Sequence, residues 1–321
     1  MTQATASVGA RVDVANRGRG MVALDNEDGT WNVELDDGTE GDFPTSGLQV
    51  VDENINDMVL GNETDPSALL IWLHGLTDTP DGWHGIFSSQ LEAPFMPLLS
   101  YLQIKLPCAP LQRVSACGKV TTSWYDVQGF PMNVTRSDPG TGQRESIEKV
   151  LRLIDDAVAS GIPPSRIVIG GHSQGGALAL AAALQSRISI SGCIVLSGWA
   201  LPSQDLARCA KSSAAASGGT RFLVCHGDED CTVLLECGKH VAEMLQQNGC
   251  IVENSACEVF SGFGHNVCRE DVVRSIQQFL NELLPPGSPE AATEVVDTMA
   301  ALASQTAIEN DPHKTLCRVS T

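Results

Sequence analysis

The chain has 321 residues, 42% of them hydrophobic, and a formal net charge of −19. That acidity argues against nucleic acid and against electrostatic attachment to anionic lipid, and no run approaches the ~18 apolar residues of a spanning helix. Residues Met1 to Ala6 lack the basic start and apolar run of a secretory signal, and the eleven cysteines are an odd number, so a cytoplasmic protein with reduced thiols is expected.

Residues 1–9 read as a disordered start. Residues 10–51 then carry short alternating apolar runs, among them Gly20 to Leu24 and Thr30 to Leu35. Turn signals at Asn26-Glu27-Asp28-Gly29 and Asp36-Asp37-Gly38 separate them, and Asp-Gly steps favour tight hairpins. A small all-β barrel, similar to SH3-like or Tudor-like modules, is expected, with a peptide as its candidate ligand. Only Trp31 and Phe43 are present to build an aromatic cage, and both suit a core. Residues 52–66 are polar and acidic and read as a linker; the first 66 residues hold 14 acidic and 3 basic side chains.

From residue 67 to 286 apolar strands alternate with helical patterns. Ala68 to Leu73 reads as a buried strand and Leu102 to Leu106 as a second. Pro107 to Val120 reads as a flap or a packed surface loop, with Trp124 beside it. Ile147, Val150, Leu151, Ile154 and Val158 fall on one face of a helix over 144–159. Strands follow at Arg166 to Ile169, Cys193 to Ser197 and Arg221 to His226. Ser203 to Gly219 reads as a mobile insertion and 232–248 as a helix. A β-like run at Ala256 to Phe260 precedes a helix over 269–284. In the tail, 287–321, one amphipathic helix is expected over 292–304.

The richest segment is Gly170-Gly171-His172-Ser173-Gln174-Gly175-Gly176, which joins a strand to the helix former run Ala177 to Leu184. A serine on such a corner is held strained and exposed, and glycines are required where strand and helix approach. The first amides of the helix, near Gln174, favour an anion beside the hydroxyl. A serine nucleophile needs a base and a group that orients it. His265, in a loop between strand and helix, suits the base; His240 falls in a helix, His313 in the tail, and His226 ends a strand. The loop Asp228-Glu229-Asp230 offers the acid, and spacing does not choose among the three. The loop His74-Gly75-Leu76 after the first buried strand offers the amide of Leu76 as a second oxyanion donor, with His74 as a brace. Cys231, Cys237 and His240 match no common zinc spacing, so no metal is expected.

Taken in order, Leu73-His74-Gly75-Leu76-Thr77-Asp78-Thr79, Ala109-Pro110, Ser123-Trp124-Tyr125-Asp126, Gly161-Ile162-Pro163, Gly171 to Leu178 and His226-Gly227-Asp228-Glu229-Asp230 resemble the acyl-protein thioesterase/lysophospholipase family of carboxylesterases. The resemblance covers about residues 66 to 286. It implies an α/β-hydrolase with a mostly parallel central sheet flanked by helices. It assigns the acid to Asp230, beside Ser173 and His265, and the oxyanion donors to the backbone of Leu76 and Gln174. It implies no cofactor, and an acylated protein, a small ester or a lysolipid as substrate; it also implies that the 107–120 flap borders an acyl channel, with Leu111, Val114 and Val120 as candidates to line it and Trp124 to wall it. The chain departs from the family at His172, where an aromatic is usual, and at Leu234, where proline is usual; His172 is thereby a candidate for substrate preference. Thioesterase action is the first expectation, a short-chain carboxylesterase or lysophospholipase the second, and a non-catalytic binding protein the third.

Overall fold

The computed structural model describes residues 11–15, 17–26, 28–35, 39–50, 57–88, 96–136, 140–202, 204–265 and 270–286. The expected disordered start, the Asp36-Asp37-Gly38 turn and the tail helix lie outside the described residues.

The N-terminal strands are β1 (Arg11–Val14), β2 (Gly18–Asp25), β3 (Thr30–Leu35), β4 (Glu40–Pro44) and β5 (Leu48–Val50). They form one antiparallel sheet in the order β4-β3-β2-β1-β5, with β4 and β5 at its edges. Its core is five small side chains, Val12, Val14, Val22, Val33 and Leu35, with Trp31 and Phe43 packed against them. Those two aromatics are register partners across β3 and β4, and Arg17 lies over the Phe43 ring.

The rest of the chain builds an eight-stranded sheet. Its elements run β6 (Met58–Gly61), β7 (Ala68–Leu73), α1 (Pro80–Phe87), α2 (Met96–Leu99), β8 (Leu102–Leu106), a separate hairpin β9 (Leu111–Val114) and β10 (Lys119–Thr122), and α3 (Gln143–Ala159). They continue with β11 (Ile167–His172), α4 (Gln174–Gln185), β12 (Gly192–Leu196), α5 (Leu206–Ser212), α6 (Ala214–Gly218) and β13 (Arg221–Gly227). Last come α7 (Leu235–Gln247), β14 (Ile251–Val252), β15 (Glu258–Phe260) and α8 (Glu270–Leu283). The order is β14-β13-β12-β11-β7-β8-β6, with β15 also on β13. All pairs are parallel except β6 with β8.

Helices cover both faces, so the central strands are apolar throughout rather than alternating. Along β7, Leu69, Ile71 and Leu73 enter the core shared with α3, α4 and α7, while Ala68, Leu70 and Trp72 enter the core shared with α1 and α8. The chain leaves β7 toward β8 on one side, and β11 returns on the other. The C-terminal ends of β7 and β11 therefore frame the crevice where ligands bind in such sheets.

Two expectations change. Residues 58–61 of the expected linker are the edge strand β6, tied in by Asp57, whose Oδ1 accepts the Cys108 amide at 2.8 Å. The expected mobile insertion is built as α5 and α6, where the Asp205 and Ser213 side chains accept amides of the first turn.

Candidate active site

The Ser173 corner is a product of close packing. A Cβ on Gly175 would stand 2.2 Å from the carbonyl oxygen of Leu73, and one on Gly171 would stand 2.6 Å from the same atom. Only glycine lets α4 start against the end of β7. Ser173 takes φ 55 and ψ −119, a left-handed conformation that costs a non-glycine residue about 1–3 kcal/mol. Its amide donates to Leu196 O at 2.8 Å and Ala177 N donates to its carbonyl at 3.0 Å, so both neighbours of the corner hold the strain.

Ser173 Oγ donates to His265 Nε2 at 2.8 Å, and His265 Nδ1 donates to Asp230 Oδ2 at 2.7 Å. Asp230 Oδ1 accepts the amides of Thr232 and Val233 at 2.9 and 2.8 Å. Burial opposes ionisation of Asp230, but hydrogen bonds from His226 and His265, the charge on His265 and the Val233 amide outweigh it and hold the carboxyl well below its usual range. The other two acidic residues of that loop do other work. Asp228 accepts Ser261 Oγ at 2.9 Å and the Gly262 amide at 2.7 Å, which clamps the loop that carries His265. The Glu229 amide donates to Phe263 O at 2.8 Å in the same clamp.

His172 donates from Nε2 to the backbone oxygen of His265 at 2.9 Å, and the two rings lie 4.9 Å apart. Burial, then the neighbouring His265, push its pKa down to about 4, so the ring is neutral at ordinary pH. His74 uses both nitrogens structurally: Nδ1 donates to Gly75 O at 2.7 Å and Nε2 accepts the Ala109 amide at 3.0 Å. Burial lowers its pKa. It braces the loop as the sequence implied.

The Leu76 amide makes no hydrogen bond among the described residues. The first amides of α4, Gln174 included, have no intrahelical partner. The Gln174 side chain is turned away from the chemistry: its Oε1 accepts the Trp124 amide at 3.0 Å and its Nε2 donates to Tyr125 O at 2.8 Å.

A cavity of about 610 Å³ opens onto Ser173 and His265. Its apolar lining is Leu76, Trp83, Ile86 and Phe130, with His172 beside the serine. Four pocket candidates lie elsewhere. Val114 is fully buried in the main core, Leu111 sits on the first strand of the hairpin, and Trp124 is buried with Nε1 on His74 O at 2.8 Å. Val120 is likewise buried. The expected flap is a hairpin that turns Val114 and Val120 inward and leaves Arg113 and Lys119 exposed, and of its residues Cys117 at the turn lines the cavity. The lining from α1 was missed; the i, i+3 spacing of Trp83 and Ile86 was the available signal.

Residues 55–284 match the Phospholipase/Carboxylesterase family. The chain belongs to that family. It is a serine hydrolase of carboxylic esters with the α/β-hydrolase fold. It is 33% identical to acyl-protein thioesterase 1 of Gibberella zeae over 68% of this chain and 92% of that one, and 31% identical to acyl-protein thioesterase 1 of Neurospora crassa over 68% and 88%. The crystal structure of Arabidopsis thaliana SOBER1 superposes with a TM-score of 0.59 at 29% identity, over 68% of this chain and 99% of that one. Among the described residues no helix is long and apolar enough to cross a membrane, and no cluster of three or more His, Cys, Asp or Glu suits a metal.

Proposed function

We propose that this hydrolase is an acyl-protein thioesterase, with Ser173 as nucleophile, His265 as general base and then acid, and Asp230 as the group that fixes the His265 tautomer and stabilises its imidazolium. The observation that carries the reading is the unbroken relay from Asp230 Oδ2 through His265 to Ser173 Oγ, with both bonds under 3 Å. Ser173 Oγ attacks the acyl carbonyl as its proton passes to His265 Nε2. The amides of Leu76 and Gln174 hold the oxyanion. The intermediate collapses, the thiolate or alkoxide leaves with the proton from His265, and water deprotonated by His265 releases the acid from Ser173. The relatives named acyl-protein thioesterase support the thioester as substrate.

A specific observation favours a second reading, a short-chain carboxylesterase or lysophospholipase. Val114, Val120 and Trp124, expected to line or wall the acyl site, are buried in the core, and the cavity mixes Thr77, Asp78 and Thr232 with its apolar wall. Ser173→Ala should abolish both turnover and fluorophosphonate labelling; full labelling of that variant would overturn the nucleophile. A panel of acyl esters from C2 to C16, with a palmitoylated peptide beside lysophosphatidylcholine, separates the two substrates.

The N-terminal sheet is proposed as a small SH3-like module spanning 10–51, and 67–286 as the catalytic domain of a cytoplasmic enzyme. The sheet has its own core and none of its described residues lines the cavity, which supports a docking or stabilising role.

A further inference from the structure

We infer that His226 is a positioning residue for Asp230: its imidazole fixes the carboxylate that orients His265. This rests on the triad reading above. His226 is the last side chain but one of β13 and is fully buried. Its Nε2–H donates to Val233 O at 2.8 Å and stands 3.3 Å from Asp230 Oδ2. Asp230 Oδ2 thus lies between two imidazoles, His265 at 2.7 Å and His226 at 3.3 Å. Oδ1 is already held by two amides. Without His226 the second oxygen has His265, the ring it must orient, as its remaining side-chain donor.

The surroundings show that the ring is kept at a cost. Its other nitrogen, Nδ1, is buried and has no hydrogen-bond partner among the described residues. A buried polar atom without a partner is destabilising, and an apolar side chain of the same shape would remove the penalty. The ring also dictates its neighbour on α7. A Cβ on Gly238 would stand 2.6 Å from Nδ1 and 3.1 Å from Cys257 Sγ. Gly238 is the fourth residue of α7, and the ring leaves no room there for a side chain. An orphaned nitrogen and a glycine forced into the start of α7 both surround one imidazole, and the one thing that imidazole does is hold Asp230 and the Val233 carbonyl. Local sacrifices of this kind mark a functional constraint. The titratable groups around the ring are Asp230, His265 on the far side of that carboxylate, His172 from the end of β11, and Cys257 beside α7; burial pushes the Cys257 thiol up to about 12, so it stays protonated.

The full-length chain tests this with p-nitrophenyl butyrate as substrate. His226→Phe fills the space and removes the donor. It should lower kcat about tenfold, leave KM within about twofold, and displace the acid limb of the kcat/KM profile; the thermal midpoint should fall a little, because the Val233 carbonyl loses its donor while the orphaned nitrogen is removed. His226→Gln places an amide N–H near the position of Nε2 and should recover most of the loss. Gly238→Ala keeps His226 but pushes its ring, and should lower kcat without removing any polar group. Parent-like kcat and an unmoved acid limb in His226→Phe would overturn the inference. Equal losses in the Phe and Gln variants, meaning that shape alone matters, would overturn it too. If the Phe variant does not fold, the Gln and Ala variants decide. Ser173→Ala is the control: turnover surviving there sinks the triad reading itself, whereas a dead Ser173→Ala beside a normal His226→Phe sinks only the role of His226.

Discussion

The cavity has two walls built in different ways. One is the corner of β11 and α4 with the His265 loop. There main chain meets main chain: Gly171 and Gly175 lie against the backbone of Leu73, Ser173 is strained in the left-handed region, and Gly227 lies against Phe263 O. The other wall is α1 with Leu76 and Phe130. It is made of side chains, and one carboxylate pins it: Asp78 accepts the Thr79 amide at 2.8 Å and Trp83 Nε1 at 3.0 Å. The first wall places reacting atoms to within tenths of an ångström and leaves no freedom to vary. The second shapes the acyl site with groups that can be exchanged without moving the backbone. Chemistry and substrate preference should therefore be separable by mutation.

Gly175→Ala is the largest test of that separation. The added methyl meets two carbonyl oxygens, those of Leu73 at 2.2 Å and His74 at 2.5 Å, and backbone on both sides cannot yield. The expected cost is about 3 kcal/mol of stability or more, together with nearly all turnover on every ester. Chemical denaturation beside a butyrate assay measures both. A stable, active variant would show that the corner is not packed backbone to backbone.

Ile86→Ala should do the reverse. Ile86 lines the cavity and is only partly buried against the α1 side of the core. Its truncation lengthens the acyl site, so kcat/KM for C10 to C12 esters should rise roughly tenfold relative to C4, with kcat on the short ester nearly unchanged. If the C4 rate falls as much as in a triad variant, the two walls are not independent.

The contrast also explains what the sequence made legible. Close approaches leave glycines at fixed spacing, and Ser173, His265 and the Leu76 loop could be placed from such punctuation and from order along the chain. Asp230 could not be told from Asp228 and Glu229 by spacing, because all three sit on one turn and differ only in what they face. In the fold, Asp228 clamps the Phe260 to Phe263 loop and Asp230 meets two imidazoles. The side-chain wall left no such mark. Val114 and Val120 are as apolar as Ile86, and only the direction of a hairpin strand sends them into the core. The edge strand β6 was hidden for another reason: four residues with acidic neighbours carry too little periodicity to be seen.

The smallest expected effect lies at the seam between the walls, where His172 touches both. Its ring is 5.7 Å from Trp83 on the acyl side and 4.9 Å from His265 on the other. Among the described residues, its Nε2–H is the hydrogen bond that holds the His265 backbone. Its pKa falls from 6.5 to about 4, with burial the main cause. Between those values the unfolded chain binds a proton that the folded chain refuses. Stability from the neutral ring is therefore complete above pH 6.5 and is lost progressively as the pH falls toward 4. Asp230 acts in a separate, more acidic window, since its depressed carboxyl contributes fully above its usual 3.8 and loses that contribution only as the pH falls further. His172→Phe should cost about 1 kcal/mol at pH 7, for the orphaned carbonyl, and should flatten the stability profile between pH 6.5 and 4. Thermal midpoints of parent and variant across that range measure it. Parallel profiles would mean that the ring is already charged in the fold, and then the seam would be held by an ion rather than by a neutral donor.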